Sequence, residues 1–185
     1  MKKVSIFLAQ GFEEVEGLTA VDLLRRAGAE VTMAAVGESL EVTGSHGICV
    51  KADRFLNPEE ERKADMLVLP GGQPGTRNLN ACGELLELLK EFNREGKKLA
   101  AICAAPTVLG SAGVLEGRKA ACYPGCEEGL KGARISTDRV AVDGSVTTSR
   151  GVGTAIPFAL SLIEQLYGKE KSEEIRKSII YGHDV

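Results

Sequence analysis

Residues 99–106 read Leu99-Ala100-Ala101-Ile102-Cys103-Ala104-Ala105-Pro106 and place a cysteine after a short apolar run. The residues before Cys103 suit a buried strand, and those after it suit a helix. Ala101 and Ala105 lie two positions before and after the thiol. A nucleophile elbow requires small residues there, because larger side chains would collide in so tight a turn. The spacing predicts an active thiol at a strand-to-helix turn. A buried core cysteine is the alternative.

On both sides of this turn, apolar runs alternate with amphipathic stretches. This alternation predicts an α/β fold, with a mostly parallel sheet covered by helices on both faces, as one domain over residues 1–185. The predicted strands are Val4–Ala9, Glu30–Val36, Met66–Leu69, Leu99–Ile102 and Lys119–Cys122, with antiparallel pairs at Leu40–Thr43 with Ile48–Val50 and at Val140–Asp143 with Val146–Ser149. Helices are predicted from Gly11 to Arg26, from Asn57, from Leu85 to Gly96, from Ile156 to Leu166 and from Glu170 to Lys177.

The composition excludes several classes of partner. The 185 residues carry 23 basic and 26 acidic side chains, a net charge of -3, without a basic stripe, so nucleic acid and anionic membranes are not expected partners. The first apolar run is short and soon meets Glu13, which suits a strand better than a signal peptide and predicts a cytoplasmic protein. Five cysteines without metal-ligand spacing predict free thiols, with no metal and no cofactor.

Ligands of parallel sheets bind outside the carboxyl ends of the strands, which directs the search to three segments. These are Gly11–Glu16, Pro70–Gly75 and Ile102–Pro106. In the third segment, Cys103 precedes a helix, whose dipole and free N–H groups favour the thiolate.

Glu16 falls in the first turn of the predicted helix, where a carboxylate is ordinarily a favourable surface charge. The positions that follow Glu16 along the same face of the helix are the apolar Ala20, Leu23 and Ala27, so an inward-pointing side chain is the less favoured alternative. A buried Glu16 would stay protonated and could donate a hydrogen bond to the Cys103 thiolate.

Gly71 and Gly72 follow a strand directly. Two glycines there allow close approach of the backbone and predict an oxyanion hole made of N–H groups. An ordinary tight turn is the alternative.

Four motifs in order along the chain resemble the ThiJ/PfpI superfamily, and within it the branch of the parkinsonism-associated deglycase and its bacterial relatives. They are Gly11-Phe12-Glu13-Glu14-Val15-Glu16, Leu69-Pro70-Gly71-Gly72, Ala100-Ala101-Ile102-Cys103-Ala104-Ala105-Pro106 and Thr148-Ser149-Arg150-Gly151-Val152-Gly153-Thr154.

The resemblance implies a flavodoxin-like sandwich and a homodimer. It also implies a reactive Cys103 hydrogen-bonded to protonated Glu16, with N–H groups near Gly72 and Ala104 facing the substrate. Such relatives are described as cofactor-free glyoxalases that turn methylglyoxal into lactate, and as deglycases of glycated amino groups. The same cysteine also implies a redox sensor or chaperone as the alternative. Some members are described as peptidases or are assigned to thiazole phosphate biosynthesis. A cysteine amidase or peptidase, or a protein of thiazole phosphate biosynthesis, is therefore a weaker alternative.

The chain departs from the family at its histidines. Tyr123 stands where many relatives carry a histidine near the cysteine, and Ala104 stands where the peptidase branch has one, so Tyr123 is predicted only to orient the substrate. His46 occupies a position where some relatives have arginine near the dimer interface. It is predicted to be a general base, an anion contact or a surface-turn histidine. His183 is predicted to lie in a solvated tail.

Arg150 follows a predicted strand and precedes two closely spaced glycines. It is predicted either to anchor an anionic group of the substrate or to form a salt bridge at the dimer interface.

Overall fold

A computed structural model of the chain describes residues 1–182. Its main sheet has seven strands, which are β1 (Lys3–Ala9), β2 (Glu30–Val36), β5 (Arg54–Phe55), β6 (Met66–Leu69), β7 (Lys98–Ile102), β10 (Val140–Asp143) and β11 (Val146–Ser149). Their order across the sheet is β10-β11-β7-β6-β1-β2-β5, and every neighbouring pair is parallel except β10 with β11. The predicted α/β class, with a mostly parallel sheet, is confirmed.

The remaining elements surround this sheet. Two small sheets pair β3 (Glu41–Thr43) with β4 (Cys49–Lys51) and β8 (Lys119–Ala120) with β9 (Arg134–Ile135). The helices are α1 (Glu14–Arg26), α2 (Pro58–Glu61), α3 (Gly75–Ala81), α4 (Gly83–Arg94), α5 (Pro106–Ser111), α6 (Ala155–Tyr167) and α7 (Lys169–Ser178). Within residues 1–182 no helix combines the length and the apolar character needed to span a bilayer.

Alternation along the central strand β1 divides the core into two layers. Ile6 and Leu8 pack with Phe158 of α6 on one face of the sheet, whereas Phe7 packs with Leu88 and Phe92 of α4 on the other. Successive side chains of a strand point to opposite faces, so an unbroken apolar run can serve both layers. This is why the strand shows no polar alternation and why helices cover both faces.

The sequence prediction misses α3, β9 and the two-residue edge strand β5. It also extends the strand from Lys119 to Cys122, whereas β8 ends at Ala120. The N–H of Ala121 donates to Thr148 Oγ1 at 2.8 Å, and the N–H of Tyr123 donates to the carbonyl of Cys103 at 2.8 Å. The chain therefore leaves β8 early and is fixed to the elbow. The prediction for His183 falls outside the described residues.

Candidate active site

Cys103 occupies a strained turn at the carboxyl end of β7. Its φ is 66°, in the left-handed region that non-glycine residues rarely adopt. Its N–H donates to the carbonyl of Ser149 at 3.0 Å, and the N–H of Ala105 donates to that of Ile102 at 3.1 Å, which closes the turn. Ala101 and Ala105 on either side are fully buried. This is the geometry of the predicted elbow, in which the small neighbours leave room for the turn.

Glu16 points inward from the first turn of α1 and is 1 % exposed. Its Oε2 accepts the N–H of Gly71 at 2.9 Å, while Oε1 is buried and has no hydrogen-bond partner of normal geometry among residues 1–182. Burial raises the pKa of the Glu16 carboxyl from 4.5 to about 7, against the lowering effect of the Gly71 N–H and the Cys103 side chain. A substantial fraction of Glu16 is therefore protonated near pH 7, and this is the form that can donate a hydrogen bond to a neighbouring thiolate.

The environment of the Cys103 thiol raises its pKa, whereas a position at a helix N-terminus is expected to lower it. Burial, followed by the negative charge of ionised Glu16, raises its pKa to about 12, although the N–H groups of Ala104 and Gly72 act to lower it. The N–H group of Ala104 favours the thiolate, as the sequence predicts for the start of a helix, but burial and ionised Glu16 outweigh this effect. α5 begins only at Pro106 and has six residues. Each ionised partner raises the pKa of the other, so the thiolate forms together with protonated Glu16.

The two glycines after β6 have different roles. A methyl group at Gly71 would lie 2.5 Å from Cys103 Cβ and 2.7 Å from Glu16 Oε2, so only glycine fits there. The Gly71 N–H is already bound by Glu16 and is not free to bind an oxyanion, which corrects the prediction for this residue. Gly72 has a φ of 92° and directs its N–H toward Cys103. The N–H groups of Gly72 and Ala104 are thus the pair that faces the sulfur.

A cleft of about 700 Å³ opens above Cys103. The half-exposed Tyr123 and the guanidinium-bearing Arg150 line its walls, as does Gly72. Sequence reasoning missed two charged lining residues, Glu13 and Arg139. The hairpin register could have revealed Arg139, because Val140 pairs with Ser149 and the next residues outward are therefore Arg139 and Arg150.

His46 lies outside this cleft. Its N–H donates to Glu14 Oε1 at 2.8 Å, its Nδ1 is 3.2 Å from Glu14 Oε2 and 3.4 Å from Glu13 Oε2, and its side chain is 70 % exposed. Glu13, Glu14 and His46 offer ligand atoms within 4.8 Å of one another, a donor set that suits a divalent cation. No histidine is among the cleft residues of the described chain.

The fold and the site define an α/β protein with a cysteine on a strand-to-helix elbow, next to a buried carboxylic acid with an elevated pKa. The sequence profile of the DJ-1/PfpI family matches residues 2–165, and the chain belongs to this family.

Known relatives and solved structures agree with this assignment. The chain is 41% identical over 181 residues to Protein DJ-1 homolog B of Arabidopsis thaliana, covering 97% of this chain but only 41% of that longer protein. It is 35% identical over 169 residues to the Glutathione-independent glyoxalase DJR-1.2 of Caenorhabditis elegans, covering 90% and 89% of the two chains. The structure of oxidized Toxoplasma gondii DJ-1 matches with a TM-score of 0.94 and 39% identity, covering 99% of this chain and 100% of that one.

Proposed function

We propose that the protein is a cofactor-independent glyoxalase or protein deglycase, acting on methylglyoxal-type 2-oxoaldehydes or their adducts. The observation that carries the proposal is the contact between the Cys103 thiol and the buried Glu16 carboxyl, with the N–H groups of Gly72 and Ala104 aimed at the sulfur. The similarity to a relative named a glutathione-independent glyoxalase supports the same reaction class.

The reaction begins when the Cys103 thiolate adds to the aldehyde carbon, and the N–H groups of Gly72 and Ala104 stabilise the oxyanion that forms. Protonated Glu16 gives its proton to this oxyanion, which completes the hemithioacetal. The Glu16 carboxylate, whose pKa is about 7, then takes the proton from the former aldehyde carbon and delivers it to the neighbouring carbon. The hydroxyl proton passes to the neighbouring oxygen, and the product is a thioester of a 2-hydroxy acid. Water hydrolyses this thioester, releasing the acid and the thiol. The aldehyde carbon is oxidised as its neighbour is reduced, so no external oxidant is needed.

The test is lactate formation from methylglyoxal without glutathione or added metal, with wild type, Cys103→Ala and Glu16→Gln in parallel. Wild type should form lactate, and the kcat/KM of both variants should fall at least a hundredfold. Cys103 forms a covalent bond to the substrate, and Glu16 transfers a proton between two of its carbons. Tyr123→Phe is the matched control, because Tyr123 is a cleft residue that only orients the substrate. Its kcat/KM should fall far less than that of the other two variants. Absence of lactate with fully reduced wild type would refute the proposal.

A redox-sensing stress protein or chaperone is the second candidate, and the unpartnered Oε1 of Glu16 favours it. A hydroperoxide would oxidise the Cys103 thiolate to the sulfenate and then the sulfinate, and Glu16 would donate a hydrogen bond to a sulfinate oxygen. Mass spectrometry after peroxide titration tests this: Cys103 should gain two oxygens before the exposed Cys49 does, and in Glu16→Gln the sulfinate should be less stable. Preferential oxidation of Cys49 would eliminate this candidate.

We further propose that the chain acts as a homodimer. Val15 on α1 and Ile48 are large apolar residues about half exposed, and they are held near each other because Glu14 accepts the N–H of Ile48 at 3.3 Å. Exposed apolar side chains that lie together on a surface favour burial against another protein. Light scattering should give twice the mass of one chain for wild type and one mass for Val15→Glu. A monomeric wild type would refute the dimer.

A further inference from the structure

The cleft above Cys103 has a positively charged side that the reaction of methylglyoxal does not use. Arg139 and Arg150 both line the cleft. Since Val140 pairs with Ser149 in the antiparallel hairpin β10–β11, these two arginines follow as the next opposite pair. The hydroxyl of Ser149 donates to the carbonyl of Arg139 at 2.5 Å, which holds the two strand ends together. Two positive charges that line the same side of a cleft make that side attractive to an anion.

The ion pairs found among residues 1–182 involve neither of these guanidinium groups. Arg150 Nη1 reaches only the carbonyl of Thr137 at 3.4 Å, and Arg139 Nη2 only the hydroxyl of Tyr181 at 3.4 Å. Both contacts are long, and most of the ten N–H donors of the pair are left for a ligand. Paired guanidinium groups with free donors favour a carboxylate or a phosphate.

The sheet fixes where this pair lies relative to the sulfur. Ser149 pairs with Ile102 in the parallel register of β11 with β7, so Arg150 begins one strand away from Cys103, and Arg139 begins two strands away. With a strand spacing of about 4.8 Å, their backbones lie about 5 and about 10 Å to one side of the thiol. Glu13 lies on the opposite side, after β1, and would repel an anion. The charges in the cleft therefore direct an anionic group away from α1 and toward the hairpin.

Methylglyoxal has only a methyl group beyond its two carbonyls, so it would leave this side of the cleft empty. On the basis of the proposed reaction at Cys103, we propose that the preferred substrate is a 2-oxoaldehyde, or an adduct of one, with an anionic group beyond the reacting carbonyls, and that Arg139 and Arg150 bind this group. The net reaction is R–CO–CHO + H₂O → R–CH(OH)–COO⁻ + H⁺, in which R carries the anionic group unchanged.

The test measures binding of reaction products by calorimetry, because this requires no turnover. The three probes are 2-hydroxy-3-phosphopropanoate, whose extra group is a phosphate, 2-hydroxybutanedioate, whose extra group is a carboxylate, and lactate, which has neither. Wild type should bind at least one of the two anionic probes about tenfold or more tighter than lactate, since hydrogen bonds between ionised groups are the strong ones. Comparison of these two probes identifies the anionic group.

Arg139→Gln and Arg150→Gln should each reduce this preference about tenfold. Arg134→Gln is the matched control: Arg134 is 73 % exposed on β9, pairs with Asp143 and does not line the cleft, so the preference should persist. Equal binding of all three probes, or a preference that both cleft variants retain, would overturn the inference. If methylglyoxal is not turned over but arginine-dependent binding persists, the proposed reaction fails and the anion site stands. If lactate is formed but no preference exists, only the anion site fails.

Discussion

Replacing Glu16 with glutamine should change how the stability of the protein depends on pH. The folded state raises the pKa of Glu16 from 4.5 to about 7, chiefly by burial. Between these pH values the folded chain retains a proton that the unfolded chain has lost, so the free energy of unfolding falls as pH rises. The difference between the two pKa values corresponds to about 3 kcal/mol. This contribution is fully present below pH 4.5 and is lost as pH rises through about 7.

Glutamine cannot ionise, but its amide oxygen can still accept the N–H of Gly71. In Glu16→Gln, the fall in stability across this window should therefore be smaller than in wild type by about 3 kcal/mol. Subtracting the two curves cancels the other groups that titrate in the same range.

The measurement is urea unfolding at several pH values from about 4.5 to about 8, in reducing buffer and at one protein concentration. Glu164→Gln is the matched control, because Glu164 is exposed on α6 and its curve should run parallel to that of wild type. Parallel curves for wild type and Glu16→Gln would refute the reasoning, since they would mean that Glu16 ionises in the folded state as easily as in the unfolded one.

Three further perturbations test the elbow and the core. Because Cys103 has a φ of 66°, Cys103→Gly should be more stable than Cys103→Ala by about 1 kcal/mol in thermal unfolding, and equal stability would contradict a left-handed conformation. Gly71→Ala should slow alkylation of Cys103 by iodoacetamide and lower the Tm, because the added methyl would lie 2.5 Å from Cys103 Cβ; an unchanged rate and Tm would contradict this contact. Arg54→Met should lower the free energy of unfolding in urea by about 3 kcal/mol, because it leaves the buried carboxylate of Glu61 without its ion-pair partner. A decrease well below 1 kcal/mol would contradict this role of Arg54.

Much of the fold could be predicted because its signals are local. The apolar run at Val4–Ala9 supplies both core layers, and the apolar strand before Cys103 with the small residues Ala101 and Ala105 around it predicted the strand-to-helix turn, with a core cysteine as the alternative. The strand β5 and the early end of β8 could not be predicted. β5 has only two residues and pairs with β2 at the sheet edge, and β8 ends where Ala121 binds the side chain of Thr148, which is distant in sequence.

The candidate site was only partly predictable. Cys103, Glu16 and Gly72 could be selected because each follows the carboxyl end of a strand, where parallel sheets bind ligands. The sequence left open whether Glu16 points inward, and it assigned to Gly71 an N–H group that Glu16 already binds. It also missed Arg139, whose importance depends on the hairpin register that sets it opposite Arg150.

The sequence by itself determined the order of most strands and helices, the small residues that an elbow at Cys103 requires and the alanine rather than histidine that follows this cysteine, because these depend on residue type and on spacing along the chain. Only the tertiary structure decided the protonation of Glu16, the raised pKa of Cys103 and the arrangement of charge in the cleft. Glu16 and Gly71 are 55 positions apart in the chain yet are hydrogen-bonded. Burial and charge act through space, so a pKa is set by the neighbours that folding brings together.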